Sequence, residues 1–139
     1  MTSSTKVLAQ SQHYSVTSEY ETVFLTGPDE REFIGDLYGD PKAAVIDWEE
    51  QWCVTVGAGL VVYYLREDFH TYTNSTATNQ RFALFQGSAA STWWIEAVYQ
   101  VTDTAIRFVV DPYSTQAGVY ELQLSTLTLQ RLIPREENE

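Results

Sequence analysis

Apolar and polar residues alternate with a period of two over much of this chain, which is typical of half-buried strands and not of helices. The clearest alternation lies at 92–101, where two tryptophans open a run of apolar and polar positions. Strands are predicted at 20–26, 43–46, 52–56, 60–65, 81–85, 92–101, 104–110, 120–124 and 127–129.

Three places in this pattern carry additional information. The segment 60–65 is apolar at every position, so it is predicted to be a central strand covered on both faces. Gly57-Ala58-Gly59 precedes it, and glycines allow the positive φ of a tight bulged hairpin. At Ser125-Thr126 the alternation shifts by one residue, which indicates a bulge or a hairpin turn.

The connections between most predicted strands are too short for helical crossovers, which favours antiparallel pairing over a parallel sheet. The predicted fold class is mainly β, an antiparallel meander that forms a two-layer sandwich or a strongly curved sheet. A short helix is a further possibility at 28–32, because proline and acidic residues are favoured in a first helical turn.

The stretch from Val119 to Leu127 resembles the strand-turn-strand part of a β-propeller blade. A full propeller has about four or more four-stranded blades. Such a ring does not fit into 139 residues, so the resemblance implies no function for this chain.

The length of 139 residues is typical of a single domain. Residues 1–13 lack periodicity and are predicted to be an irregular N-terminal arm, 14–134 a single β-rich domain, and 135–139 an acidic tail. The polar segment 66–80 is long for a loop within a compact domain, and such loops are either mobile or functional.

Acidic residues dominate the charge of the chain. There are 19 of them against 8 lysines and arginines, a net charge of −11. Ten of the acidic residues lie within 19–50, where Arg31 and Lys42 are the only bases. A negative field repels nucleic acid and anionic membranes and attracts basic partners, although high net charge also serves solubility. We therefore expect neither a nucleic acid nor a membrane as partner.

The sequence carries no recognisable cofactor or metal motif. The single cysteine, Cys53, excludes an internal disulfide and a zinc site built from several thiolates. The acid-rich segments 29–32 and 36–40 do not follow the spacing of a calcium loop, and Gly57-Ala58-Gly59 lacks the lysine of a phosphate-binding loop. Without a secretory signal in 1–12 or a long apolar run, we expect a cytoplasmic protein.

Nucleophilic catalysis by Cys53 with His70 and Asp68 is one arrangement that the strand order permits. Cys53 lies within a predicted strand between Trp52 and Val54, however, where a buried and inert thiol is the usual outcome. The sequence therefore predicts a non-enzymatic protein.

The leading hypothesis is an acidic protein-binding domain that engages a basic partner protein, in the manner of an immunity or inhibitor protein. Aromatic side chains next to carboxylates suit this role, because rings supply contact area and charges attract the partner. The candidate partner-binding residues are Asp36, Tyr38, Asp40, Asp47, Trp48, Glu49 and Glu50.

The alternative hypothesis is a β-domain that binds a small molecule or a carbohydrate in a tryptophan-lined pocket, with 66–80 as a lid. Glu96 lies beside two tryptophans and is the acid best placed for hydrolysis, which needs a pair of carboxylates. The candidate ligand-binding residues are Trp93, Trp94, Glu96, Tyr99 and His70. Mimicry of DNA by regularly spaced carboxylates is a third hypothesis.

Overall fold

The computed structural model describes residues 5–29, 31–37, 39–65, 81–86, 92–114 and 116–134. All regular secondary structure in these ranges is β-strand. Within them, no helix has the length and apolar character needed to cross a membrane. The strands are β1 Thr5–Gln10, β2 Ser15–Glu19, β3 Thr22–Thr26, β4 Arg31–Asp36, β5 Ala43–Ile46, β6 Trp52–Gly57, β7 Gly59–Tyr64, β8 Arg81–Leu84, β9 Ile95–Thr102, β10 Ala105–Val110, β11 Gly118–Gln123 and β12 Thr128–Pro134.

The strands form three four-stranded antiparallel sheets, each a simple meander: β1–β4 (sheet 1), β5–β8 (sheet 2) and β9–β12 (sheet 3). The first strands of the three sheets lie side by side, with β5 between β1 and β9. The predicted antiparallel β fold is confirmed. The division into three sheets, each with the strand count of a propeller blade, was not evident from the sequence.

Sheet 2 lies between the other two sheets and is covered on both faces. On one face Trp52, Val54 and Val62 pack against buried residues of sheet 3 such as Phe108 and Leu122. The opposite face packs against sheet 1 through a second cluster of buried apolar side chains, namely Val16, Val23, Leu25, Ile34, Ile46 and Cys53. The prediction that 60–65 forms a central strand is confirmed, because every residue of β7 except Tyr63 is buried.

Cys53 belongs to the core between sheets 1 and 2 and is fully buried. Burial raises the pKa of its thiol to about 12, so the sulfur stays protonated at neutral pH. His70 and Asp68, the partners considered for it, lie outside the described residues.

Two predictions about the first sheet were wrong. Thr5–Gln10 is strand β1 and not part of an irregular arm. Its alternation is hidden because a bulge between Val7 and Ala9 turns two consecutive residues, Leu8 and Ala9, toward the core. The segment 20–26 is not one strand, since a tight turn at Tyr20-Glu21 separates β2 from β3.

The predicted short helix at 28–32 is also wrong. Pro28 and Asp29 lie in a bend, and Arg31 already pairs with Thr26 as the first residue of β4. Pairing with β3 satisfies the backbone of this segment and buries Ile34, which outweighs the local preference of proline and acids for a first helical turn.

The predicted tight turn at Gly57-Ala58-Gly59 joins β6 to β7 and also fixes the chain before β9. Gly59 has φ +99°, and a Cβ on it would lie 2.3 Å from Cγ of Gln86 and 3.1 Å from the carbonyl oxygen of Leu84. The Gly59 N–H donates to the carbonyl of Trp93 over 2.8 Å, and Ala58 forms a β-bridge with Trp94. This turn therefore requires glycine and sets the position of Trp94.

Candidate functional site

The antiparallel strands bring the connecting turns to two opposite ends of the molecule. One end, called the Trp48 end below, carries the turns at 11–14, 27–29, 47–51, 103–104 and 124–127. The other, called the Trp94 end, carries 20–21, the described parts of 37–42, and 58, 85–86, 92–94 and 111–114. Hydrogen bonds between sheets hold each end together, for example from Trp52 Nε1 to the carbonyl of Asp103 over 3.2 Å.

The structure divides the predicted partner-binding residues between these two ends. Asp36 and Asp40 lie at the Trp94 end, whereas 47–50 form the turn between β5 and β6 at the Trp48 end. Strand β5 separates the groups by about 13 Å, at roughly 3.3 Å per residue. Tyr38 lies outside the described residues. The predicted surface is therefore not one continuous patch.

Asp47 is 1% exposed and holds the turn from inside. One carboxylate oxygen accepts a hydrogen bond from the Gln51 N–H over 3.0 Å, and the other accepts from Nε2 of Gln100 over 2.7 Å. The oxygen of the same Gln100 amide accepts from the Trp48 N–H over 3.0 Å. Asp47 therefore fixes the turn to sheet 3, and it does not contact a partner from this position.

Glu50 fixes the same turn to sheet 1. Its carboxylate accepts hydrogen bonds from the Ser11 hydroxyl and, over 2.8 Å, from the His13 N–H. The same carboxylate also contacts Nδ1 of the His13 ring over 2.7 Å. Burial by itself raises the pKa of Glu50, but the hydrogen bonds from Ser11 and His13 and the charge of His13 outweigh it and lower the pKa to about 2. Its side chain is only 14% exposed, so it adds little to a surface.

The lowered pKa of Glu50 predicts a pH-dependent contribution to stability. A carboxyl whose pKa is depressed by folding stabilises the folded state above its ordinary pKa of 4.5, and this contribution is lost as the pH falls toward about 2. We expect the wild-type chain to lose stability relative to Glu50→Gln as the pH is lowered through this window. Urea unfolding at a series of pH values checks this, and a constant difference between the two proteins would contradict it.

Trp48 and Glu49 are the residues that this turn presents to solvent. The Trp48 side chain is 64% exposed, and Glu49 beside it is also exposed. Both flanking carboxylates are held by the hydrogen bonds described above, so the conformation of the turn is fixed without help from the Trp48 side chain. Among the described residues of this end, the main feature is therefore a large exposed ring on a rigid turn.

A cavity of about 300 Å³, called the Tyr63 cavity below, lies at the same end between sheets 1 and 2. Its apolar part is formed by Leu25, Pro28 and Leu65. Gly27, two tyrosines and two carboxylates complete the lining, namely Tyr14, Tyr63, Asp29 and Glu32. The Tyr63 hydroxyl donates to Oε1 of Glu32 over 3.1 Å. The sequence did not reveal this cavity, because its residues come from separate segments and none stands in a recognisable motif.

A second cavity of about 270 Å³ lies at the Trp94 end. It brings Trp94 and Glu96, two of the predicted ligand-binding residues, together with Asp40, Lys42 and Asp111. Trp94 is 37% exposed. Asp40 was predicted as part of the partner surface from the sequence, and in the structure it lines the same cavity as Trp94 and Glu96, two residues of the alternative prediction.

The other predicted ligand-binding residues lie elsewhere. Trp93 is partly buried and stacks on Phe85 with ring centroids 4.4 Å apart, so it belongs to the core. Tyr99 is 45% exposed and stands opposite Arg107 in the β9–β10 pair, on the outer face of sheet 3. His70 and the proposed lid at 66–80 lie outside the described residues.

In the part of the chain that the structure describes, no three histidine, cysteine or acidic side chains come together in a way that suits a metal ion. The described members of the acid-rich segments 29–32 and 36–40 are divided between the two ends.

No protein-family model matches the sequence, and no curated protein is similar to it in sequence.

Proposed function

We propose that this chain is a non-enzymatic protein-binding domain that engages a basic partner through the Trp48 end, as an immunity or inhibitor protein does. The observation that supports this most directly is the 64% exposure of Trp48 on a turn held rigid from both sides. Exposed aromatic residues of this kind dominate the free energy of many interfaces, and a turn that is already ordered loses little entropy on binding.

The charge around Trp48 supports a basic partner. Glu49 is exposed next to it, and Asp29, Glu32 and Asp103 are exposed on neighbouring turns and strand ends. The segment 19–50 carries a net charge of −8, from ten acidic residues against Arg31 and Lys42, and it contributes acidic residues to both ends of the molecule. A field of this sign accelerates the approach of a positively charged protein and weakens as salt screens it.

The proposal predicts an association that depends on salt and on Glu49. Affinity capture from the lysate of the source organism, with elution by salt, should yield a basic protein. With that protein purified, we expect Glu49→Lys to lower the association rate constant by about tenfold at low ionic strength, and by less as salt is added. Stopped-flow or surface-based kinetics at several salt concentrations measures the effect.

Glu21→Lys is the matched control for this experiment. Glu21 is exposed on the turn between β2 and β3 at the Trp94 end, so the same change in net charge is made away from Trp48. We expect a much smaller effect on the association rate. Equal effects of the two substitutions would indicate general charge steering without a defined surface, and binding that ignores salt and both substitutions would contradict the proposal.

A second candidate function is supported by the cavity at the Trp94 end. A half-exposed tryptophan beside three carboxylates and a lysine, in about 270 Å³, suits a hydroxylated or amino-bearing small molecule such as a sugar. Trp94 provides a flat apolar face, and Asp40, Glu96 and Asp111 provide hydrogen-bond acceptors.

Intrinsic tryptophan fluorescence tests this second candidate. Titration with neutral and amino sugars is expected to change the emission of the wild-type chain, and Trp94→Phe is expected to remove the change while Trp48→Phe retains it. Both substituted residues are partly exposed, so neither change disturbs the core. A response that follows Trp48 would assign the ligand to the other end, and no response to any sugar would contradict sugar binding.

A further inference from the structure

The Tyr63 cavity combines three kinds of surface in one small volume. Its apolar part includes Leu25, which is 3% exposed, and the partly buried Leu65. The rings of Tyr14 and Tyr63 are partly buried and provide aromatic surface. Asp29 and Glu32 are exposed and provide negative charge at the opening. An aliphatic stem that ends in a flat cation would match these surfaces, with the stem on the apolar part and the cation between the rings and the carboxylates.

The carboxylates of the cavity are not neutralised by the described cations around them. Arg31 lies next to Glu32 in sequence, but its guanidinium lies 3.7 Å from the ring centroid of Phe24 and 2.5 Å from the Glu19 carboxylate. The ion pairs among the described residues involve Glu19, Glu50 and Glu121, and neither cavity carboxylate takes part. Negative charge therefore remains available at the opening.

The walls of the cavity are held in place by the turn that presents Trp48. Tyr14 follows His13, whose backbone and ring bind Glu50, and the Tyr14 carbonyl accepts from the Ser11 N–H over 2.8 Å. The N–H of Leu65 donates to the carbonyl of Gln51 over 2.8 Å. The cavity and the Trp48 turn are thus connected by direct hydrogen bonds.

We propose that the Tyr63 cavity accepts one arginine side chain of the basic partner. This inference rests on the proposed function and names the side chain that the surface recognises. The planar guanidinium stacks on tyrosine rings and donates to a carboxylate in a fixed fork, while the methylenes of the side chain pack against Leu65 and Pro28. A lysine ammonium is more strongly hydrated and does not stack in this way.

A blocked arginine, N-acetyl-arginine methylamide, tests the cavity without the partner. Titration followed by NMR is expected to shift the signals of Tyr14, Tyr63 and Leu65, with a dissociation constant of about 1–10 mM for so small a ligand. The blocked lysine should bind at least about threefold more weakly than the blocked arginine. The blocked citrulline, which has the same shape without the charge, should cause no shifts at these residues.

Glu32→Gln removes the charge and keeps an oxygen that accepts from the Tyr63 hydroxyl, so the fold of the cavity is preserved. We expect it to weaken arginine binding by about fivefold. Glu21→Gln, at the opposite end, is the matched control and should leave the affinity unchanged. Equal binding of arginine and citrulline, or shifts that map outside the cavity, would overturn the proposal.

The outcome separates this inference from the proposed function. If arginine fails to bind while Glu49→Lys still slows association with the partner, the Trp48 end remains the proposed binding surface, and the cavity does not accept an arginine of the partner. If arginine binds at Tyr14 and Tyr63 while no basic partner is captured, the cavity recognises arginine independently of the proposed function.

Discussion

Replacing Trp52 with alanine is expected to lower the free energy of unfolding by about 4 kcal/mol, a large part of the stability of a domain of this size. Trp52 is 0% exposed and is among the largest side chains in the core between sheets 2 and 3. Its removal leaves a cavity in the core between sheets 2 and 3. It also removes the Nε1–H donor that bonds to the carbonyl of Asp103, which joins sheet 2 to sheet 3.

Urea unfolding followed by far-ultraviolet circular dichroism measures this effect without relying on tryptophan emission. Trp48→Ala is the matched control, since it removes the same side chain from a 64% exposed position four residues earlier in the chain. We expect it to change the free energy of unfolding by less than about 0.5 kcal/mol. Similar losses of stability for the two variants would contradict the burial of Trp52 in the core between sheets 2 and 3.

Replacing Asp47 with alanine is expected to lower the free energy of unfolding by about 3 kcal/mol and to weaken partner binding as well. The carboxylate accepts from the Gln51 N–H and from the Gln100 side chain, and it is 1% exposed. Its loss leaves the partly buried Gln51 N–H without that partner and releases Gln100, which also holds the Trp48 N–H. The turn should then lose the fixed conformation that presents Trp48.

The comparison that isolates this effect is Glu49→Ala, because Glu49 lies in the same turn and is exposed. Its substitution should leave stability within about 0.5 kcal/mol of the wild type and act on binding through charge alone. Urea unfolding and partner affinity are measured for both variants. Asp47→Ala with full stability, or with unchanged affinity despite a lower stability, would contradict the role assigned to the carboxylate.

Sequence reasoning succeeded for the strands of sheet 2. Predicted and observed bounds coincide for β5, and β6 and β7 agree within one residue at each end. These strands are short apolar runs, and glycines mark the turn between β6 and β7. The turn between β2 and β3 gave no such signal, because its residues are Tyr20 and Glu21 and Tyr20 adopts a φ of +57°. Tyrosine rarely occupies that region, so no rule of turn composition finds it.

Which residues of the predicted partner surface are exposed could be predicted only in part, for a different reason. An aromatic residue among acids in a polar connection singled out Trp48 and Glu49, and both are exposed. Asp47 and Glu50 belong to the same predicted segment, 47–50, but their carboxylates form hydrogen bonds that hold the turn in place. Their partners Gln100 and Ser11 are 53 and 39 residues away, so local pattern cannot distinguish them from their neighbours. The Tyr63 cavity likewise depends on the packing of sheet 1 against sheet 2.

The order of the three sheets along the chain has a consequence for synthesis on the ribosome. Sheet 1 is complete by Asp36, yet its apolar face packs against side chains of sheet 2 that are translated later, such as Ile46 and Cys53. Sheet 2 in turn is covered by sheet 3 only after Ile95 has emerged. Each newly made sheet therefore exposes one apolar face until the next is translated, and slow translation would prolong the time during which that face is open to aggregation or to chaperones.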